Sequence, residues 1–188
     1  PPNIQAHRLA FLNNLQRIIT SAFGSGYTAR LFGSSVTCLA STNSDADVTI
    51  LLDNRPHENP SGHPIANMYL LAAVLRHNGM KEVFPVATAK VPIVKFFDPA
   101  HGLKADVNVG NALGIQNSAM IVEYMRLDGR VRDLILLVKH WAKMRELNDS
   151  AEGGGHWTFS SYALTLMLLS YLQIQGVIPS LQELFPSS

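Results

Sequence analysis

The chain has 188 residues, of which 47% are hydrophobic and 15% charged, with 15 Lys and Arg against 14 Asp and Glu, so the formal net charge is +1. That suffices for one large or two small domains with a real core and excludes a disordered polypeptide. Bulk charge this close to neutral excludes a surface that binds nucleic acid by overall basicity; any such surface must be local.

In chain order, Ile4 to Phe23 reads as an amphipathic helix, with Leu9, Leu12, Leu15, Ile18 and Ile19 at helical spacing. Gly24-Ser25-Gly26 stops it. Ala29 to Phe32 reads as a short strand, Gly33-Ser34-Ser35 as a turn, and Val36 to Ala40 as the opening of a short helix. Cys38 is the single cysteine, which excludes an internal disulfide and points to a reducing, intracellular setting. Between Thr37 and Leu39 it reads as a small buried hydrophobe. Asp47 to Leu52 is an apolar, buried strand; Asp53 to Pro64, with three prolines and a glycine, is a loop. Ile65 to Asn78 is helical with Leu71, Val74 and Leu75 inward. Lys81 to Ala87 and Val91 to Phe97 are strands, and Pro99 to Gly102 turns the chain into a further strand carrying Asp106.

After Asn111 the pattern becomes helical. Asn117 to Leu127 is one helix; Arg130 to Arg145 is a second, with Val131, Leu134, Ile135, Val138 and Trp141 on its apolar face. Gly153-Gly154-Gly155 is a loop, and Ser160 or Ser161 caps a third helix that runs to Gln175 before Gly176. The expected organisation is therefore an α/β domain over residues 1–111 and an all-α domain over 112–188. No apolar run reaches transmembrane length, so no membrane partner is expected. Seven histidines are scattered without zinc-ligand spacing. The start Pro1-Pro2-Asn3, without Met or signal peptide, reads as that of a fragment.

Chemistry concentrates in two acidic sites. Asp45 and Asp47 are two apart and share a face of a strand. Asp106 faces the same way from a neighbouring strand. Three convergent carboxylates repel, and each would hold its proton too tightly unless a cation sat among them. Mg²⁺ suits such oxygen ligands and shares its coordination sphere with phosphates; two ions clamp the attacking and leaving oxygens of a phosphoryl displacement. The bland readings fit less well. An EF-hand fails because Thr49 and Ile50 occupy positions that need an oxygen ligand and a glycine. An exposed strand fails because Val48 to Leu52 is too apolar.

In the helical half, Lys139 and Lys143 lie side by side at i and i+4, either as a solvated face with Glu146 nearby or as two ammonium groups for a triphosphate. Ser160-Ser161-Tyr162 opens a helix whose N-terminus suits phosphate, and Tyr162 is either a base-stacking ring or a core aromatic.

Six motifs in order resemble one family: Phe32-Gly33-Ser34-Ser35, Ser44-Asp45-Ala46-Asp47, Asp106 to Asn111, Gly114-Ile115-Gln116-Asn117-Ser118, Val138 to Lys143, and Phe159 to Leu164. The chain resembles the DNA polymerase β-like nucleotidyltransferases, and more closely their noncanonical poly(A) polymerase and terminal uridylyltransferase branch. The resemblance implies a polymerase β-like palm, a mixed sheet with helices, followed by an α-helical domain. It implies that Asp45, Asp47 and Asp106 are catalytic and hold two Mg²⁺ ions, with Mn²⁺ as an alternative, and that Asp106 helps activate an RNA 3′-hydroxyl. It implies nucleotide contacts from Phe32, Gly33 and Ser34, from Asn111, Asn117 and Ser118 near the sugar, from Lys139, Lys143 and Ser161 at the triphosphate, and from the ring of Tyr162. Ser118 replaces the family's commoner threonine. Ser34 to Thr37 and the direct Asp47-to-Asp106 connection resemble the kinetoplastid type of uridylyltransferase. The helical domain of relatives runs on past Gly176-Val177-Ile178-Pro179 into residues that select uracil over adenine, so the expected helical domain is incomplete here.

The resulting expectation is template-independent addition of UMP from UTP to an RNA 3′ end, inside the cytoplasm or a mitochondrion, with protein partners in an RNA-processing complex. The alternatives are the same chemistry with ATP, and an inactive fold serving as a scaffold, against which the three intact carboxylates argue. Sugar-nucleotide transfer through Asp45-Ala46-Asp47 leaves Gly33-Ser34 and the lysine pair unexplained.

Overall fold

The structure is a computed structural model that describes residues 4–40, 44–53, 55, 57–58, 60–148 and 158–184. The glycine run at 153–155 lies outside the described residues. The chain divides into two compact units, Pro1–Ala119 and Met120–Ser188. The compositional break at 111/112 falls at the start of the helix that crosses this division, and we keep it as a proposal for the domain division.

The first unit contains α1 (Ile4–Phe23), β1 (Tyr27–Leu31), α2 (Ser34–Thr37), β2 (Ala46–Leu52), α3 (Met68–His77), β3 (Lys81–Val86), β4 (Ile93–Asp98), β5 (Leu103–Val109) and the first half of α4 (Ala112–Leu127). The strands form one mixed sheet in the order β1-β2-β5-β4-β3. Only β2 and β5 run parallel; the other neighbours are antiparallel. Period-two alternation sorts the sheet residues into two faces. Val48, Ile50, Val94, Phe96, Ala105 and Val107 face a core completed by Phe11, Leu15, Ile18 and Ile19 of α1 and Leu71, Ala72 and Leu75 of α3. Asp47, Lys95 and Asp106 alternate with them and point the other way.

Several sequence expectations need correction here. The buried stripe of α1 is Phe11, Leu15, Ile18 and Ile19, while Leu9 is exposed, because it sits half a turn from Phe11. The helix expected from Ile65 is split. A single 3₁₀ turn, Pro64–Ala66, precedes Asn67, whose side chain accepts from the Tyr69 and Leu70 N–H groups and so starts α3 afresh. Cys38 is exposed, not buried. It closes the four-residue α2 at φ 57°, and Leu39 takes the buried place instead.

In the second unit, α5 (Gly129–Met144), α6 (Ser161–Ile174) and α7 (Leu181–Leu184) follow the end of α4. Val131, Ile135 and Ala142 form the buried stripe of α5. Trp141 is 51% exposed, contrary to expectation. At 3.6 residues per turn it stands roughly 80° from that stripe. Tyr124, 1% exposed, ties this unit together. Its hydroxyl donates to Gln182 Oε1 at 2.9 Å and accepts from Gln173 Nε2 at 2.7 Å and Leu181 N at 3.1 Å. Among the described residues no helix is long and apolar enough to cross a membrane.

Candidate active site

Parallel pairing of β2 with β5 aligns Asp47 with Asp106 as direct register partners. Asp45 lies two residues ahead of Asp47, just before β2 begins, and is exposed. Burial pushes the Asp47 carboxyl up to about 6, and Asp106 and then Asp45 push the same way. Burial also raises Asp106, opposed by its hydrogen bond to Lys95. Lys95 is the register partner of Asp106 on β4, and its Nζ lies 3.1 Å from Asp106 Oδ2. Sequence reasoning missed Lys95; the signal was a lone cation at an alternate position of an apolar strand.

The turn before α2 is built around these carboxylates. Gly33 has φ 62° and ψ −143°, a backbone shape that a side chain resists. A Cβ there would stand 2.7 Å from Asp47 Oδ2, so the glycine lets the turn close onto the carboxylate. Phe32 N–H donates to the Asp47 carbonyl at 3.1 Å, joining turn and strand. Ser34, the first residue of α2, is half-buried.

Ser118 lies one turn along α4 from Gly114. Its hydroxyl accepts from Gly33 N–H at 2.7 Å and donates to the Gly114 carbonyl at 2.7 Å. At 4% exposure it holds the turn from within the protein. The start of α4 explains why: the helix begins at Ala112, five residues before the expected Asn117, because Asn111 Oδ1 accepts from Gly114 N–H at 3.0 Å and caps it. Gly114 lies in the first turn of α4. It lets Phe32 pack close, since a Cβ at Gly114 would meet the ring at 3.0 Å. Thr49 Oγ1, buried on β2, accepts from Asn111 N–H at 3.1 Å. Asn117 is half-buried within α4. Phe32, Gly33, Asp47, Asn111, Gly114 and Ser118 are therefore gathered over the Asp47 face of the sheet.

The other expected residues belong to the second unit. Lys139 is half-buried and Lys143 exposed, one turn apart on α5. Ser160 caps α6 by accepting from Ala163 N–H at 3.1 Å. Ser161 exchanges hydrogen bonds with the Asn148 side chain at 3.0 and 3.3 Å. Tyr162 is 38% exposed, which weighs against a core role.

Among the described residues no three His, Cys, Asp or Glu side chains are grouped to hold a metal ion as they stand. The donor set nonetheless suits a hard divalent cation. It is all-oxygen, and the proton affinity of Asp47 is raised by its carboxylate neighbours as well as by burial. Lys95 now fills part of that cationic role at Asp106.

Known proteins resemble this chain in sequence and in fold. The family model for the central palm domain of mitochondrial-like poly(A) RNA polymerase matches residues 2–126. The poly(A) RNA polymerase cid13 of Schizosaccharomyces pombe is 38% identical over 180 residues, covering 94% of this chain and 29% of its own length. Human terminal uridylyltransferase 7 is 38% identical over 176 residues, covering 92% of this chain and 11% of its own. The chain thus spans less than a third of either relative. Among solved structures, the noncanonical poly(A) polymerase complex GLD-2–GLD-3 matches with a TM-score of 0.83 and 26% identity, over 99% of this chain and 59% of that one. A mutant of the Cid1 poly(U) polymerase bound to MgATP matches with a TM-score of 0.74 and 30% identity, over 92% of this chain and 51% of that one.

Proposed function

The chain belongs to the mitochondrial-like poly(A) RNA polymerase family, a branch of the polymerase β-like nucleotidyltransferases, and from that premise we propose that it carries out template-independent nucleotidyl transfer to RNA 3′ ends. The observation that carries the reading is the register pairing of Asp47 with Asp106 beneath a glycine turn that closes onto Asp47.

Asp45, Asp47 and Asp106 would hold Mg²⁺, two ions in our reading, with Mn²⁺ able to substitute. Bound there, the metal would neutralise charge on the attacking and leaving oxygens of the displacement. Asp106 would draw the proton of the RNA 3′-hydroxyl as that oxygen attacks the α-phosphorus and pyrophosphate departs. The Gly33 turn, braced by Ser118, would set Ser34 against the triphosphate. Phe32 and the capping Asn111 would border the sugar, with Asn117 reading its 2′-hydroxyl. Lys139, Lys143 and Ser161 would bind the triphosphate, and Tyr162 would stack on the base.

UTP is the donor we favour, on Ser34 to Thr37 and the short β2-to-β5 connection. ATP is the second reading, favoured by the similarity to cid13, a poly(A) RNA polymerase. The solved GLD-2 complex supports an expectation of protein partners, and the family supports an intracellular setting. Extension of a short RNA primer by the full-length protein, with each of the four nucleotides in turn, tests all of this. Extension with UTP above the others is expected; preference for ATP replaces the donor, and no extension with any nucleotide overturns the function.

A further inference from the structure

The first helix contains a buried cation that the reaction above leaves unused. Arg8 of α1 is 2% exposed. Its Nη1 donates to Ser35 Oγ at 2.5 Å, and its Nη2 donates to the Ser44 carbonyl at 2.7 Å. Those acceptors are 27 and 36 residues away in sequence. Ser35 belongs to the turn that closes on Asp47, and Ser44 immediately precedes Asp45.

Stability alone does not account for an arginine here. Burying a guanidinium costs several kcal/mol, and well-packed apolar residues often serve a fold as well or better. The helix position otherwise calls for an apolar side chain, since Phe11, Leu15 and Ile19 continue the same buried stripe. Among the described residues Nε finds no hydrogen-bond partner, so the site is not arranged to satisfy the arginine. Burial pulls its pKa below the ordinary arginine value, and Asp47 and then Asp45 oppose that pull. The two terminal nitrogens of the guanidinium instead match two neutral acceptors on the two segments that must be held at a fixed distance.

We propose that Arg8 is a positioning residue of the carboxylate site, a buried brace that fixes the Gly33–Ser35 turn against the backbone delivering Asp45 and Asp47. Only a planar fork spans both acceptors at once; a lysine brings the charge but one point of attachment. The brace acts through the backbone at Ser44 and touches neither substrate nor reacting atoms. The inference rests on the metal-binding part of the proposed function.

The test uses the full-length protein, with Mn²⁺ alone as probe, titrated by electron paramagnetic resonance without RNA or nucleotide. Arg8→Lys is expected to weaken Mn²⁺ binding about tenfold, as loss of a residue that orients metal ligands does. The Mn²⁺ concentration for half-maximal primer extension should rise in parallel. A variant that melts at lower temperature but binds Mn²⁺ with wild-type affinity shows a purely structural arginine and overturns the proposal. So does tighter binding, which would show that the fork does not hold the carboxylates in their metal-binding positions. If Arg8→Lys does not fold, Ser35→Ala removes one end of the brace; a smaller weakening in the same direction is expected, and unchanged affinity overturns the proposal. A wild-type protein that binds Mn²⁺ but extends no RNA overturns the proposed function and leaves the brace standing, whereas one that binds no Mn²⁺ overturns both.

Discussion

Asp47 is held where its charge is least welcome: half-buried, facing Asp106, with Asp45 two residues away. Its pKa rises from 3.8 to about 6. A raised carboxylate favours the protonated folded form, so the folded state binds more protons than the unfolded one between those values. Stability of the metal-free protein should then fall as pH climbs from about 4 to about 6, by roughly 3 kcal/mol at most, and level off above. Urea melts at half-unit pH steps in chelator check this. Asp47→Asn should flatten the slope, and a wild-type slope unchanged by that substitution would remove Asp47 as its source. Lys95 is the counterweight at Asp106.

At the scale of elements, the turn from Phe32 to Ser35 is defined by what it lacks. Gly33→Ala places a methyl 2.7 Å from Asp47 Oδ2 on a backbone at φ 62°. Strain of order 1–3 kcal/mol is expected, with loss of nucleotide addition well beyond that loss of stability. Activity per folded molecule, set against the melting temperature, separates the two effects. In α6, the ring of Tyr162 opens the helix and is 38% exposed. Tyr162→Phe should leave nucleotide affinity nearly unchanged, whereas Tyr162→Ala should cost about 1–3 kcal/mol of it for every base alike. A fall in melting temperature with unchanged affinity would make it a structural ring. The contrast is Tyr124, whose buried hydroxyl has three partners inside its own unit.

For the molecule as a whole, metal and fold should be linked. A ligand that binds only the folded state stabilises it by about 2.7 kcal/mol at a hundred times its dissociation constant. Mg²⁺ should therefore raise the Tm of the wild-type protein. Asp45→Ala, Asp47→Ala and Asp106→Ala should each abolish nucleotide addition and the Mg²⁺-dependent rise. Their metal-free Tm should be equal or higher, because a repelling charge is gone. Retained activity in any one of the three would remove it from the catalytic set.

The sequence by itself determined the α/β-then-α order, all five strands and the helix from Ile4 to Phe23. These elements rest on local periodicity, which needs no partner to be read. It also singled out Asp45, Asp47 and Asp106, since spacing along a strand places side chains on one face. What it missed depends on neighbours distant in the chain. Lys95 meets Asp106 only because β4 pairs with β5. The start of α4, expected at Asn117, moves to Ala112 because Asn111 caps the helix and Gly114 lets Phe32 pack against it. Arg8 belongs to no motif in the sequence. Only the packing of α1 against the sheet buried it beside Ser35 and Ser44, because hydrogen bonds spanning 27 and 36 residues leave no local trace in the chain.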